Sequence, residues 1–112
     1  MNEQLEQPVR QVIEHLVMAK FTELETLTRG QRLSAQEMAK VISDYGRKLV
    51  LPPDDAFELM DKIKVRNIRS KQWSVTMPLW TREEGRSDLS IEITLIADAE
   101  DLRIELNDIH VL

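Results

Sequence analysis

The stretch that decides the fold is residues 73–95, WSVTMPLWTREEGRSDLSIEITL. Trp73, Val75, Met77 and Leu79 alternate with Ser74, Thr76, Pro78 and Trp80, and Leu89, Ile91, Ile93 and Leu95 alternate with Ser90, Glu92 and Thr94. A period of two sends successive side chains to opposite faces, so each run reads as a strand with one dry and one wet face. The interval at residues 81–87 is polar and holds Gly85, as the turn of an antiparallel hairpin requires. Downstream, Leu102, Ile104 and Leu106 alternate with Arg103 and Glu105 and make a third strand of the same meander. There the apolar parity changes, because Ile109 and Val111 are odd-numbered. One strand keeps both sets on one face only through a bulge, which Asn107–Asp108 is placed to supply.

Upstream the period lengthens. Val9, Val12, Ile13, Leu16 and Val17 fall three and four apart, which predicts an amphipathic helix to about Lys20 with Pro8 in its first turn. Phe21, Leu24 and Leu27 predict a short second helix ended by Gly30. Ser34 and Glu37 form an S-x-x-E capping box for a third, whose stripe is Met38, Val41, Ile42 and Tyr45 and whose stop is Gly46. Between the halves, residues 47–51 read as a short strand halted by Pro52–Pro53. Asp54 or Asp55 then caps a helical turn through Met60, and Ile63 to Ile68 reads as a weak strand. The expected fold is α+β: one domain over residues 1–112, with three N-terminal helices (1–46) on one face of a three- to five-stranded antiparallel meander (47–112).

Composition removes several chemistries. No cysteine is present, so thiolate catalysis, disulfides and Cys-type metal sites are excluded. Twenty Asp and Glu against fifteen Lys and Arg give a net charge of −5, which argues against nucleic acid as the main partner. Aromatics at 4% are too few for base-stacking platforms. The start carries Glu3 and Glu6 where a signal peptide would need an apolar core, and no apolar run approaches the ~20 residues of a membrane span. The expectation is a cytoplasmic chain with no membrane contact.

The dry-face strand residues hold no ionisable group, so a catalytic acid or base there would have to come from the helices or strand ends. His15 has Glu14 beside it but no H-x-x-x-H partner. Asp108 and His110, two apart, share a face on a regular strand; a carboxylate orienting an imidazole is the beginning of metal or catalytic logic. Without further ligands or a nucleophile motif, no catalytic set, cofactor or metal is expected. The Asp98, Glu100, Asp101 cluster lacks calcium-loop spacing and reads as a solvated turn. Lys62, Lys64, Arg66, Arg69 and Lys71 read as edge-strand cations that discourage edge-to-edge pairing.

The hairpin loop is the most informative feature. Trp80 has wet-face parity and borders Arg82, Glu83, Glu84, Arg86 and Asp88. Trp and Arg dominate protein-interface hot spots, so these six residues form the candidate partner-binding set. A competing pocket would take Tyr45 and Trp73 as walls with Asp108 and His110 as its polar groups.

Residues 73–95, YGRKLVLPP at 45–53 and the ending LNDIHVL at 106–112 together resemble a family of small stand-alone bacterial domains of uncharacterised function. That resemblance implies no catalytic residues. The order of helices and then sheet is similar to nuclear-transport-factor-like and cystatin-like folds, and small acidic α+β domains are common among toxin immunity proteins. The leading expectation is a non-enzymatic protein-binding domain, an inhibitor or immunity protein that blocks a basic partner. A small-molecule-binding or enzymatic domain of nuclear-transport-factor-like type is the alternative. A homodimeric regulatory or scaffolding protein is the third.

Overall fold

A computed structural model describes residues 2–30, 32–65, 71–98 and 101–111. The alternation at 73–95 forms the centre of a five-stranded antiparallel sheet, with helices on its dry face. The helices are α1 (Asn2–Val17), α2 (Phe21–Leu27) and α3 (Ala35–Tyr45). The strands are β1 (Leu49–Val50), β2 (Asp61–Val65), β3 (Lys71–Thr81), β4 (Gly85–Asp98) and β5 (Asp101–Val111). The long strands run in the order β3-β4-β5, and both short strands pair with the free edge of β3: β1 near Trp80 and β2 near Ser74. A 3-10 helix, Asp54–Leu59, links β1 to β2.

The core closes as the two periods predict. Val9, Val12, Ile13 and Leu16 of α1, Leu24 of α2 and Met38 of α3 are buried against Val75, Met77, Leu79, Leu89, Ile91, Ile93, Leu95 and Leu106. Each fully buried aliphatic side chain contributes about 1.5–3 kcal/mol relative to exposure, which makes this stripe the main stabilising term. Leu102 departs from the expected dry set: at the start of β5 it remains 39% exposed. Pro8 also departs from expectation, because α1 begins at Asn2 and places it inside the helix rather than in the first turn. The cause is Leu5, which is buried and extends the apolar stripe one turn upstream. The missing Pro8 N–H costs one helical bond to the carbonyl of Gln4.

Local chemistry sets the ends. Ser34 Oγ accepts the Glu37 N–H at 3.1 Å while the Glu37 carboxylate accepts the Ser34 N–H at 3.0 Å, so the capping box forms as read. Those bonds hold the Glu37 carboxyl below the usual glutamate range, the backbone N–H being the larger cause. Gly46 ends α3 in the left-handed region at φ +74°. Phe57 anchors the 3-10 helix in the core, with the Arg10 guanidinium 4.2 Å above its ring. The weak strand is described over Asp61–Val65 and begins before the expected Ile63. Arg66, Ile68, Arg69 and Glu100 fall outside the described residues.

Two irregularities shape the polar face. Between β4 and β5 the register shifts by one residue, with Glu92 opposite Asp108 and Ile93 opposite Leu106, so Asn107 is the extra residue of a bulge. This is the bulge that the parity change predicts. Between β3 and β4 the shift is larger: Pro78 pairs with Ser90 but Trp80 pairs with Arg86, setting three β4 residues against Leu79. Two extra residues preserve parity, so Trp80 and Arg86 stay on the face of Ser90 and Glu92. The buried Ser87 hydroxyl closes this bulge, donating to the Leu79 carbonyl at 2.7 Å and accepting the Leu89 N–H at 3.2 Å.

Candidate functional site

Trp80 and Arg86 stand opposite each other on β3 and β4, at the end of the sheet where the hairpin turns. Arg82, Glu83 and Glu84 form a three-residue turn closed by Gly85 at φ +73°, the left-handed position such a turn demands. Trp80 lies over that glycine: a Cβ at Gly85 would come within 3.8 Å of the indole. The tryptophan is half-buried on the polar face. The 3-10 helix crosses the free edge of β3 between β1 and β2, and together they frame a groove of about 390 Å³ lined by Asp55, Ala56, Leu59, Met77, Pro78, Trp80 and Arg86. Leu59 stands at its rim with 82% of its surface exposed. An apolar floor beside one arginine and one carboxylate has the make-up of an interface anchor pocket.

The loop is braced from behind. Glu84 accepts hydrogen bonds from the Tyr45 hydroxyl at 2.9 Å and from the Thr81 hydroxyl at 3.0 Å. Glu83 accepts the Lys48 N–H at 3.1 Å, and the Arg82 N–H donates to the Lys48 carbonyl at 2.8 Å. Burial first, and then the Glu84 carboxylate, push the Tyr45 phenol up from its ordinary value. The loop therefore presents its charges in a fixed arrangement, which lowers the ordering cost of any contact it makes. Asp54, Asp55, Glu58, Glu83, Glu84 and Asp88 are exposed on the two segments that give the groove Asp55 and Arg86, against Arg82 and Arg86. Asp54 is engaged by Arg10 at 3.3 Å.

The competing set is divided. Trp73 packs on the helix side against the core, and Tyr45 closes on the hairpin loop. Asp108 and His110 sit on the opposite, polar face with Glu92 and Ser90. The four do not line one cavity among the described residues. Asp108 and His110 do come together, and Glu92 joins them: His110 Nδ1 lies 2.9 Å from Asp108 Oδ2 and 3.2 Å from Glu92 Oε2. Sequence spacing could not supply Glu92, because its partner across the strands depends on the one-residue shift at Asn107. Alternation alone put it on the right face. His15 faces outward, its Nδ1 2.7 Å from the Gln11 carbonyl one turn back. Leu59 and Ala56 were equally unreadable as site residues, since only the crossing of the 3-10 helix brings them to Trp80.

A helical layer on one face of an antiparallel sheet, with a braced acidic hairpin and an apolar groove on the sheet's free edge, defines an α+β domain. The chain belongs to the family described as Domain of unknown function (DUF7668), whose model matches residues 13–112. No curated protein and no solved structure matches it. No helix among the described residues is long and apolar enough to cross a membrane.

Proposed function

We propose that this domain is a non-enzymatic binding protein that occupies a basic surface of another protein, acting as an inhibitor or immunity protein. The observation that carries the reading is the groove of Ala56, Leu59, Pro78, Trp80 and Arg86. It joins an aromatic anchor, an arginine and a leucine that water surrounds. Covering such a leucine contributes about 1.5–3 kcal/mol, and covering a tryptophan adds more. The segments that flank the groove, 54–59 and 82–88, carry six carboxylates and two arginines, so most of the chain's excess negative charge is gathered there. Such a field speeds encounter with a basic partner and rejects an acidic one. The contact itself would need about 800 Å² from each side, so the groove is its centre rather than its whole extent.

The reading is tested by affinity capture from the source cells with the wild-type domain and with Trp80→Ala and Leu59→Ser. The expected result is a protein with a basic surface that the wild type retains and both variants lose, while circular dichroism shows both variants folded. Association of the purified pair should slow as salt rises. Capture that does not depend on Trp80 and Leu59 would remove the reading.

A further inference from the structure

The three polar-face side chains Glu92, Asp108 and His110 are not used by the groove, and their geometry is unlike an ordinary ion pair. Glu92 and Asp108 stand directly opposite each other on β4 and β5. Like charges in that relation destabilise a sheet unless a positive charge lies between them. Both carboxylates reach the same atom, His110 Nδ1, at 3.2 and 2.9 Å. That nitrogen is itself shut off from water, yet it forms no directed hydrogen bond. The two oxygens lie beside the ring nitrogen rather than along its N–H or lone-pair axis. A buried polar nitrogen without a directed partner is costly to leave so.

Donors around one cation adopt this relation, standing next to one another and aiming at a common point instead of at each other. With metal–donor bonds of about 2.0–2.1 Å, tetrahedral angles set neighbouring donors roughly 3.3 Å apart. The two nitrogen–oxygen separations lie close to that value, and the three potential ligand atoms fall within 4.8 Å of one another. We propose that Glu92, Asp108 and His110 form a site for a divalent first-row cation, of which Zn²⁺ best suits one imidazole with two carboxylates. The three side chains are between 33% and 51% exposed, so the remaining coordination positions face solvent and would be filled by water. The bulge at Asn107 builds the site, because it brings Asp108 and His110 to the face of Glu92 while Ile109 stays in the core.

The experiment is titration of metal-free protein with Zn²⁺, followed by calorimetry and by the ring resonances of the two histidines. One ion per chain is expected, with His110 resonances perturbed and His15 resonances unmoved. His110→Ala and Asp108→Asn should each weaken binding by more than about tenfold, since even partners behind the ligands change affinity by that much. His15→Ala and Trp80→Ala should bind as the wild type does, which separates this site from the groove. Asp108→Asn keeps the shape of the side chain and guards against misfolding as the cause. No heat and no change at His110 in excess Zn²⁺ would overturn the proposal and leave the three side chains as a polar cluster on the sheet face. Zn²⁺ binding that survives His110→Ala would overturn it equally.

Discussion

Deleting Asn107 would remove the bulge and put both halves of β5 on one alternation, because Leu106 would then be followed directly by Asp108. Continuous pairing would still set Asp108 opposite Glu92 and Ile109, 2% exposed, opposite Ile91. Leu102, Ile104, Leu106, Ile109 and Val111 would then share one face, and no carboxylate or imidazole would be forced into the core. What is lost is the bond from Asn107 Nδ2 to Thr94 Oγ1 at 2.7 Å, a cost of about 1 kcal/mol. Unfolding entropy of ~2.1 cal/mol/K per residue over 112 residues converts that to a fall in Tm of about 4 °C. Asn107→Ala is the control: it keeps the extra residue and removes the same bond, so it should cost about as much as the deletion. Thermal unfolding and amide exchange of residues 108–111 decide the matter. If the deletion costs several kcal/mol more than the alanine, or if those amides lose their protection, the parity argument fails.

Phe57→Ala should cost about 3–5 kcal/mol, because the ring is buried and carries the Arg10 guanidinium; denaturant unfolding measures it. Gly85→Ala should cost about 1–2 kcal/mol through its left-handed backbone alone, as the added carbon meets Trp80 at ordinary contact distance; unchanged tryptophan emission with a lowered unfolding midpoint would bear this out. Ser34→Ala should cost about 1 kcal/mol of stability by thermal melting. The Glu37 carboxyl is held below its ordinary range, so its contribution is full at neutral pH and is lost as the pH falls through the lowered folded-state value. The stability gap between wild type and Glu37→Gln should therefore narrow in acid, and a gap constant from neutral to strongly acid pH would refute the linkage.

The parts of this fold that the sequence makes legible are those governed by local period. Alternation from Trp73 onward identifies β3, β4 and β5, and the even-to-odd change at Ile109 locates the bulge to within a residue. Spacings of three and four identify α1 and α3, and Ser34 with Glu37 marks the start of α3. Pairing that depends on distant segments was not legible. Two residues, Leu49 and Val50, are too few to show a period, and β2 alternates lysines with aliphatics on a sheet edge where neither face is fully dry. Nothing local announces that both short strands share one edge of β3 and that the 3-10 helix closes the gap between them. Trp80 was readable as a candidate contact because parity put it on the wet face, and Arg86 because it lies in the charged hairpin segment that follows. Leu59 was not, since its neighbour is set by tertiary packing. The same holds for Glu92, which meets His110 only across the shifted register.

The claim that the groove beside Trp80 receives a protein partner is tested most directly by site-specific photo-crosslinking in the source cells. A photoreactive residue replaces Leu59 at the groove rim in one variant. In another it replaces Met18, which is also exposed but lies at the end of α1 and does not line the groove. The account predicts a single crosslinked protein with a basic surface from position 59, lost when Trp80→Ala is added, and none from position 18. Equal crosslinking from both positions, or none from position 59, would contradict it.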